Sequence, residues 1–449
     1  MDNPCLEPLS PQRHISALQT PFGPREVYDA VAFCNRCGMC AQVCPTYRIF
    51  SQESFSPRGR NQILRLALEG KIKLSCKDTL LTHVLQTCTL CGRCSRACAA
   101  AIPTAEHVLE MRRSLRLRVL PYGLNRWLAW RETAPRFFEN TVRLGLFLRR
   151  LGFCQLLRKT KLTHIFGCSW VDRADEVLPS RTPALRRILR KAGISLSPEH
   201  PTLIYIPSLE AQFFLPDIAL QTWRAVSKKY TPLIWLNTPS GLFSYVYGDL
   251  RQSRKILRQL ITRHAKTADG KLPLVTDSID VYHFLQRAPQ LFAGNALWEQ
   301  HARGFAQCVR FVSSFLTAAS AEKPAGSLPV QLEYGALFER QGKPFEQAQH
   351  LLGTLFGKNL VHCLYTDADI PVLGYGFTKQ NCAEEIGLAA VKRIARTQTK
   401  QVFALSGFAA LELAYFLKRF YPAARVEHLV SVNKEPHARP YTREGTTDG

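Results

Sequence analysis

Eight of the fifteen cysteines in this 449-residue chain fall into two runs with the same spacing, C-x2-C-x2-C-x3-C. The first run is Cys34, Cys37, Cys40 and Cys44, and the second is Cys88, Cys91, Cys94 and Cys98. Thiolates at this spacing bind cubane [4Fe–4S] clusters, three from one short loop and a fourth from elsewhere in the chain. The two runs therefore predict two [4Fe–4S] clusters, whose chemistry is the transfer of single electrons.

The fourth cysteine of each run is predicted to bind the cluster of the other run, as it does in two-cluster proteins with this spacing. One cluster is therefore assigned to Cys34, Cys37, Cys40 and Cys98, and the other to Cys88, Cys91, Cys94 and Cys44. Structural zinc is the alternative for such loops. Zinc sites normally combine two cysteine pairs rather than three evenly spaced cysteines and a fourth.

The 43 residues between the two runs are too many for a compact ferredoxin and predict two helices. The first follows Ser56–Arg60 and ends at Gly70, and the second begins near Asp78 and buries Leu81, Val84 and Leu85. This layout indicates a helical ferredoxin. Six arginines occur in the same region, where positive charge would favour reduced clusters. They are Arg36, Arg48, Arg58, Arg60, Arg93 and Arg96.

The composition is that of a folded chain with several domains. It is 46% hydrophobic and 21% charged, and roughly 150 residues per domain suggests about three units. The start lacks the apolar core of a signal peptide, and the longest uncharged stretch is broken by prolines. Cysteines in a reducing compartment favour metal or redox roles over disulfides. We expect a cytoplasmic protein without a transmembrane helix, able to rest on the inner face of a membrane.

Nearly half of the net charge of +24 lies in one segment. From Met111 to Thr163 there are thirteen Lys or Arg and two acidic residues, Glu132 and Glu139, with Trp, Phe and Leu between them. Basic amphipathic helices of this kind can lie on an anionic membrane surface or cover a partner subunit, and a helical linker is the plain alternative. Nucleic acid is not expected, because no nucleic-acid-binding motif accompanies the charge.

Beyond residue 200, short apolar strands alternate with helices, and the pattern occurs twice. Strands are predicted near 203–206, 233–236 and 274–276, and again near 330–332, 360–364 and 402–405, an offset of about 128 residues. Helices around 251–263 and 383–395 lie between strands of each set. The pattern predicts two related α/β domains with parallel strands.

Three segments resemble the iron–sulfur subunit of glycolate oxidase and its relatives, the lactate-utilisation iron–sulfur protein and the heterodisulfide-reductase D type subunits. They are CNRCGMCAQVCPTYRIF from Cys34, SPRGRNQILRLALEGKI from Ser56, and CTLCGRCSRAC from Cys88 with AEHVLEMRR from Ala105. The specific part of the resemblance covers residues 26–113, and the weaker part extends over the α/β repeats.

The resemblance implies two cysteine-rich repeats with Cys-Cys-Gly pairs, and this chain lacks the cysteines. The corresponding residues are Leu209, Pro239, Ser240 and Val281 in the first repeat, and Ala336, Val372, Leu373, Ser406 and Ala409 in the second. Val, Leu, Pro and Ala cannot hold a soft metal. We expect two degenerate repeats of the Cys-Cys-Gly (CCG) type that keep their fold as a scaffold.

The predicted fold class is α+β multidomain. A helical ferredoxin domain with two [4Fe–4S] sites spans residues 1–110, and a basic amphipathic helical segment spans 111–200. A first degenerate CCG-type α/β domain spans 201–325, a second spans 326–432, and a tail spans 433–449.

The resemblance implies an iron–sulfur electron-transfer subunit of an FAD-linked 2-hydroxyacid dehydrogenase, such as one for glycolate or lactate. It would relay electrons from an FAD-binding dehydrogenase or oxidase subunit to a quinone or membrane acceptor. The chain carries no G-x-G-x-x-G or nucleophile elbow, so we expect no catalytic residue or substrate site of its own. The alternative is a noncatalytic assembly or membrane-docking iron–sulfur module related to heterodisulfide reductase subunits.

Overall fold

The structure, a computed structural model, has a helical N-terminal region followed by two α/β regions with parallel sheets. This arrangement confirms the predicted fold class. The described residues are 18–20, 23–115, 117, 127, 130, 134–160, 170–179, 184–317, 329–333, 343–361, 375 and 379–433. The predicted positions Ala336, Val372 and Leu373 lie outside them.

Short helices around two longer ones form the N-terminal region. The helices are Val27–Ala32, Met39–Gln42, Pro45–Phe50, Pro57–Leu68, Thr79–Gln86, Arg93–Arg96 and Thr104–Ser114, preceded by the antiparallel strands Leu18–Thr20 and Gly23–Arg25. Ser56 caps the first long helix by accepting from the Gly59 amide at 2.8 Å. Asp78 caps Thr79–Gln86, which buries Leu81, Val84 and Leu85 as predicted.

The helix Thr104–Ser114 is the centre of the molecule, because it is buried along almost its whole length. It carries charged residues inward, and these pair with each other or with neighbouring elements. Arg113 forms an ion pair with Glu110 and donates to the Tyr245 carbonyl at 3.0 Å. Arg287 of the first α/β region pairs with Glu106. The helix therefore joins the N-terminal region to the α/β half and crosses residue 110, where the first domain was predicted to end.

The basic segment contributes helices Pro135–Arg150, Phe153–Lys159, Trp170–Val177 and Leu185–Lys191. The first of these packs one apolar face inward, with Phe138 buried against Phe213 at a ring-centroid distance of 5.8 Å. In the part of the chain that the structure describes, no helix is long and apolar enough to cross a membrane.

The first α/β region is a four-stranded parallel sheet. Its strands, in spatial order, are Pro232–Ile234, Leu203–Ile206, Leu274–Thr276 and Val309–Phe311. The accompanying helices are Leu209–Phe213, Pro216–Ser227, Leu242–Val246, Leu250–Lys266, Ile279–Gln286, Ala288–Leu291 and Ala296–Cys308.

The second α/β region repeats this topology. Its parallel strands, in the same spatial order, are Leu360–Val361, Val330–Glu333, Gln401–Ala404 and Arg425–His428, with helices Lys343–Phe356, Gln380–Arg396 and Gly407–Phe420. The shared strand order is the structural counterpart of the repeated sequence pattern. The last strand of each sheet was not predicted, and the strand predicted at 233–236 ends at Ile234.

The carboxyl ends of the two sheets meet. The Ile279 amide donates to the Leu405 carbonyl at 3.1 Å, and the Ser406 hydroxyl donates to the Asp280 carboxylate at 3.1 Å. His428 Nε2 lies 2.9 Å from the Asp277 carbonyl oxygen. The two related units therefore contact each other at the carboxyl ends of their sheets, through residues that follow their third strands and through His428 at the end of the last strand.

The contact between the helices Gln380–Arg396 and Gly407–Phe420 depends on Gly387. A Cβ atom at this position would overlap the buried ring of Phe416. We expect Gly387→Ala to lower the free energy of unfolding by about 1–3 kcal/mol, as overpacked cores generally do. Thermal unfolding followed by circular dichroism measures the change.

Gly304→Ala is the matched control, because this helical glycine has nothing within 4 Å of its would-be Cβ. Removing the flexibility of a helical glycine stabilises by up to about 1 kcal/mol. Equal thermal shifts for the two variants would contradict the proposed contact.

Candidate functional site

The two cysteine loops have the same backbone conformation. Gly38 and Gly92 both adopt φ near +80°, at 82° and 81°, and each precedes a four-residue helix. Arg36 and Leu90, two positions earlier, are both left-handed, with φ of 56° and 57°. Glycine suits positions 38 and 92, because a residue with a Cβ atom is strained at this φ. The repeated spacing in the sequence is thus matched by a repeated loop.

One cavity collects the first three cysteines of the first run and the last of the second. Cys34, Cys37, Cys40 and Cys98 all line it, together with Arg58, Asn61 and Thr104. The free space inside is about 460 Å³, part of it open to solvent. The Cys37 side chain is exposed, and those of Cys34, Cys40 and Cys98 are half-buried. We call this cavity the open site.

A second cavity collects the other four cysteines. Cys44, Cys88, Cys91 and Cys94 line it, with Thr46, Arg60 and Arg93. Its free space is about 330 Å³, part of it open to solvent, and Cys44 is buried. Cys94 and Thr104 line both cavities, so the two are neighbours with a common wall. We call the second cavity the covered site.

The electrostatics of the thiols show the same two groups. Burial and the thiols of Cys34, Cys98 and Cys37 raise the pKa of Cys40 to about 11. Burial and the thiols of Cys91, Cys88 and Cys44 raise the pKa of Cys94 well above its ordinary value. Four crowded thiolates need a cationic centre to remain deprotonated together, and iron supplies one.

These donor sets fit cubane clusters in number, softness and grouping. Among the described residues, no three His, Cys, Asp or Glu side chains are gathered tightly enough for a single metal ion. The cysteines instead surround two cavities. The assignment of individual ligands stays a prediction, and the first experiment below tests it.

Arg60 lies in the wall of the covered site and is 1% exposed. Its guanidinium donates to the Thr46 hydroxyl at 3.1 and 3.2 Å and to the Val84 carbonyl at 3.1 and 3.2 Å. The same group lies 3.9 Å from the sulfur of Cys44. A buried positive charge therefore adjoins one of the predicted ligands.

Arg112 adds a second buried charge from the central helix. It donates to the carbonyls of Leu85 at 2.6 and 2.9 Å, Gln86 at 3.3 Å and Cys88 at 2.7 Å. The ionisable groups that affect its pKa most strongly after burial are Cys88, Arg60, Tyr375 and Tyr247, none of which is a carboxylate. Burial lowers the pKa of Arg112, and the guanidinium nevertheless stays protonated.

Consecutive carbonyls from 84 to 88 thus each accept a hydrogen bond from a side chain. Arg60 serves Val84, and Arg112 serves Leu85, Gln86 and Cys88. Tyr375, from the second α/β region, donates to the Thr87 carbonyl at 2.8 Å. These are the last carbonyls of the helix Thr79–Gln86 and of the residues leading into Cys88, and such groups otherwise lack partners. We call this set the carbonyl clamp.

The open site has a different charge environment. Arg58 beside it pairs with Glu53 at 2.6 Å and is partly exposed, so its charge is locally balanced and screened. Arg60 and Arg112 at the covered site bind neutral acceptors. Of the six arginines singled out in the sequence, Arg60 and Arg93 are buried and line the covered site, and Arg48 lies on the surface.

Sequence reasoning missed Arg112, Thr46 and Tyr375. Thr46 was detectable in principle, because it directly follows Cys44 and Pro45. Arg112 and Tyr375 reach the loop only through tertiary packing, from 24 and 288 residues away along the chain. No local pattern marks such residues.

The first α/β region also forms a cavity. Leu209, Pro239, Ser240 and Val281 line it at the carboxyl edge of the first sheet, with Glu210 and Ser278. The structure therefore brings together the positions at which the resemblance places ligands. Burial and the nearby Asp277 carboxyl raise the pKa of Glu210 to about 8.

The comparisons with known proteins agree with the geometry of the cysteine loops. The family of 4Fe-4S dicluster domains matches residues 30–102. This segment, which holds all eight cysteines of the two runs, is therefore similar to a 4Fe-4S dicluster domain. Iron–sulfur clusters are the cofactors of this domain, and both cysteine cavities are formed largely by its residues.

Two curated proteins resemble the chain that carries the dicluster domain. The glycolate oxidase iron-sulfur subunit of Escherichia coli is 27% identical over 193 residues, which cover 37% of this chain and 44% of the relative. The probable glycolate oxidase iron-sulfur subunit of Bacillus subtilis is 28% identical over 166 residues, covering 35% and 36%. No solved structure matches.

These relatives confirm the predicted resemblance and support an iron–sulfur electron-transfer subunit. The chain spans less than half the length of either relative. The activity, substrate and partners of the whole protein are therefore matters for proposal.

The crossover of ligands is testable by exchanging one cysteine at a time. We expect Cys98→Ser to perturb the cluster of the open site and Cys44→Ser to perturb that of the covered site. Each substitution removes one thiolate from the cavity that holds the first three cysteines of the other run. EPR spectra of the anaerobically reduced full chain measure both effects.

Cys308→Ser is the control, because Cys308 is half-buried on a helix of the first α/β region, away from both cavities. It should leave the spectra unchanged. Loss of the signal from the same run in each cysteine variant would disprove the crossover.

The carbonyl clamp predicts that the covered site is the easier one to reduce. Removing the charge of Arg112 by Arg112→Gln should disfavour the reduced, more anionic cluster about tenfold or more. A tenfold change corresponds to 59 mV for one electron. Redox titration followed by EPR should show the shift for the covered site and not for the open site.

Arg112→Lys keeps the positive charge, so the reduction potential of the covered site should stay close to that of the unchanged protein. Arg48→Gln removes an exposed charge and serves as the matched control. An equal shift in both clusters, or none in the covered one, would show that Arg112 does not set the difference.

Proposed function

We propose that this chain is the electron-transfer subunit of an FAD-linked 2-hydroxyacid dehydrogenase of the glycolate or lactate type. It takes electrons from an FAD-binding subunit and passes them to a quinone or another membrane acceptor. The observation that carries the proposal is the pair of adjacent four-cysteine cavities in a dicluster domain, with Cys94 and Thr104 in their common wall.

The relatives support the hydroxyacid part of the proposal. Both carry the name of a glycolate oxidase iron-sulfur subunit, and a subunit implies a complex with a catalytic chain. Which hydroxyacid the complex oxidises does not follow from this chain, because the hydride-removing cofactor belongs to its partner.

We propose two [4Fe–4S] clusters, one held by Cys34, Cys37, Cys40 and Cys98 and the other by Cys88, Cys91, Cys94 and Cys44. When bound, such clusters accept and release one electron at a time. The chain's own residues shape the two sites differently. Arg60 and Arg112 hold positive charge beside the covered site, and Tyr375 donates to the Thr87 carbonyl next to Cys88.

The open site suits exchange with a partner. Cys37 is exposed there, and Phe33 and Met39 nearby on the chain keep 51% and 52% of their surface accessible. An electron donor or acceptor can approach this loop closely without any rearrangement of the α/β half. The proposal therefore places the contact with the flavoprotein at the open site.

We also propose that the complex works on the inner face of the cytoplasmic membrane, where a quinone is accessible. The basic segment supports this location, since its positive charge suits an anionic surface.

The function is tested with the anaerobically purified full chain and an FAD-binding 2-hydroxyacid dehydrogenase subunit. We expect about eight iron and eight acid-labile sulfide per chain. In stopped-flow measurements, hydroxyacid should reduce the chain only in the presence of the flavoprotein. Cys91→Ser should block electron transfer to quinone and leave flavin reduction intact. Cys308→Ser should leave both steps intact.

Two results would contradict the proposal. Stoichiometric zinc without iron would show that the cysteines form structural zinc sites and not clusters. Transfer from flavoprotein to quinone at the same rate without this chain would favour the noncatalytic docking module instead.

A further inference from the structure

The helices Pro135–Arg150 and Phe153–Lys159 expose an unusually apolar face. Six large apolar side chains on or beside them keep between 44% and 67% of their surface accessible. They are Phe137, Leu144, Phe147, Leu151, Phe153 and Leu156. The first helix already buries Phe138 and Val142 against the protein, so it is apolar on two faces. A helix at the surface of a soluble domain normally needs only one.

Charge is arranged alongside this face in a regular way. Phe137, Leu144 and Leu151 recur every seven residues, and Arg136, Arg143 and Arg150 directly precede them. Residues seven apart lie on nearly the same side of a helix. The exposed apolar row is therefore flanked along its length by a parallel row of exposed arginines.

Acidic groups are missing from the exposed part of the pair. Between residues 134 and 160 the sequence contains a single acid, Glu139. Glu139 pairs with Arg143 and accepts from Asn237 at 2.5 Å, so it is turned toward the first α/β region. On the next helix, Asp175 pairs with Arg149 at 2.5 Å. Arg136 and Arg150 thus remain available for an external anion.

We propose that this face binds the surface of an anionic lipid bilayer, with the apolar row at the acyl boundary and the arginines among the headgroups. Interfacial helices combine these two features. A second copy of the chain is the less suitable occupant, because its identical face offers no carboxylate to the arginines. The inference deepens the proposed location at a membrane and assigns it to particular residues.

The inward side of the helix Pro135–Arg150 is held by ring packing and by paired charges. The ring of Phe138 packs against that of Trp127 at 4.6 Å, and Arg149 pairs with Asp175. The exposed arginines Arg136 and Arg150 take no part in these contacts. Their charge lies where an anionic surface would lie.

The test is cosedimentation of the full chain with vesicles of phosphatidylcholine alone and with added phosphatidylglycerol. We expect binding only with the anionic lipid, and weakening of that binding as salt shortens the screening length from about 10 Å at 0.1 M to about 3 Å at 1 M. Leu144→Ser combined with Leu151→Ser should weaken binding about tenfold or more. Arg136→Gln and Arg150→Gln should each weaken it about fivefold.

Matched controls lie elsewhere on the surface. Leu297→Ser removes an exposed leucine from another helix, and Arg251→Gln removes an exposed arginine. Neither should change binding. Circular dichroism checks that all variants are folded. We expect them to fold, because the substituted side chains are exposed.

Three results would overturn the inference. Equal binding to neutral and anionic vesicles, or unchanged binding of the double leucine variant, would exclude this face as the lipid site. Self-association in sedimentation velocity that the leucine substitutions abolish would assign the face to a second copy. Vesicle binding does not depend on iron content, so its failure is distinguishable from failure of the electron-transfer proposal.

Discussion

The carbonyl clamp is the interaction on which the arrangement of the covered site depends. Five successive carbonyls, from Val84 to Cys88, are satisfied by side chains from other parts of the chain. Water cannot serve them all in a buried place, and an unsatisfied carbonyl there costs about 1–3 kcal/mol. The end of the helix Thr79–Gln86 and the loop that carries Cys88 are consequently fixed together. They are held by two other helices, through Arg60 and Arg112, and by the second α/β region, through Tyr375.

The same constraint explains the polar character of the central helix. Arg112 must be buried to reach the clamp, and burying a charge is tolerated only where hydrogen bonds compensate it. The charges of its neighbours Arg113 and Glu110 are also buried, and they compensate each other in an ion pair. The helix Thr104–Ser114, which lies between the cysteine loops and the α/β half, is thus held by specific polar contacts. These contacts also fix its position along its axis.

Sequence reasoning succeeded where chemistry is local. The spacing of Cys34, Cys37 and Cys40 dictates a loop, and Asp78 marks a helix start through its own side chain. It failed where packing decides. The strands Val309–Phe311 and Arg425–His428 lie at sheet edges, so their exposed charged residues interrupt the apolar pattern that marks inner strands. Arg112 and Tyr375 act across the fold, and single-residue propensities carry no record of such contacts.

The contact of Tyr375 with Thr87 has a consequence for biosynthesis. The two residues are 288 positions apart, so the cysteine loop leaves the ribosome long before the residue that donates a hydrogen bond to it. At roughly 5–20 residues per second, the interval is about 15–60 s. During that time the carbonyls around the loop have only Arg60 and Arg112 as partners within the clamp. The last contact of the carbonyl clamp therefore forms only after the second α/β region has been made.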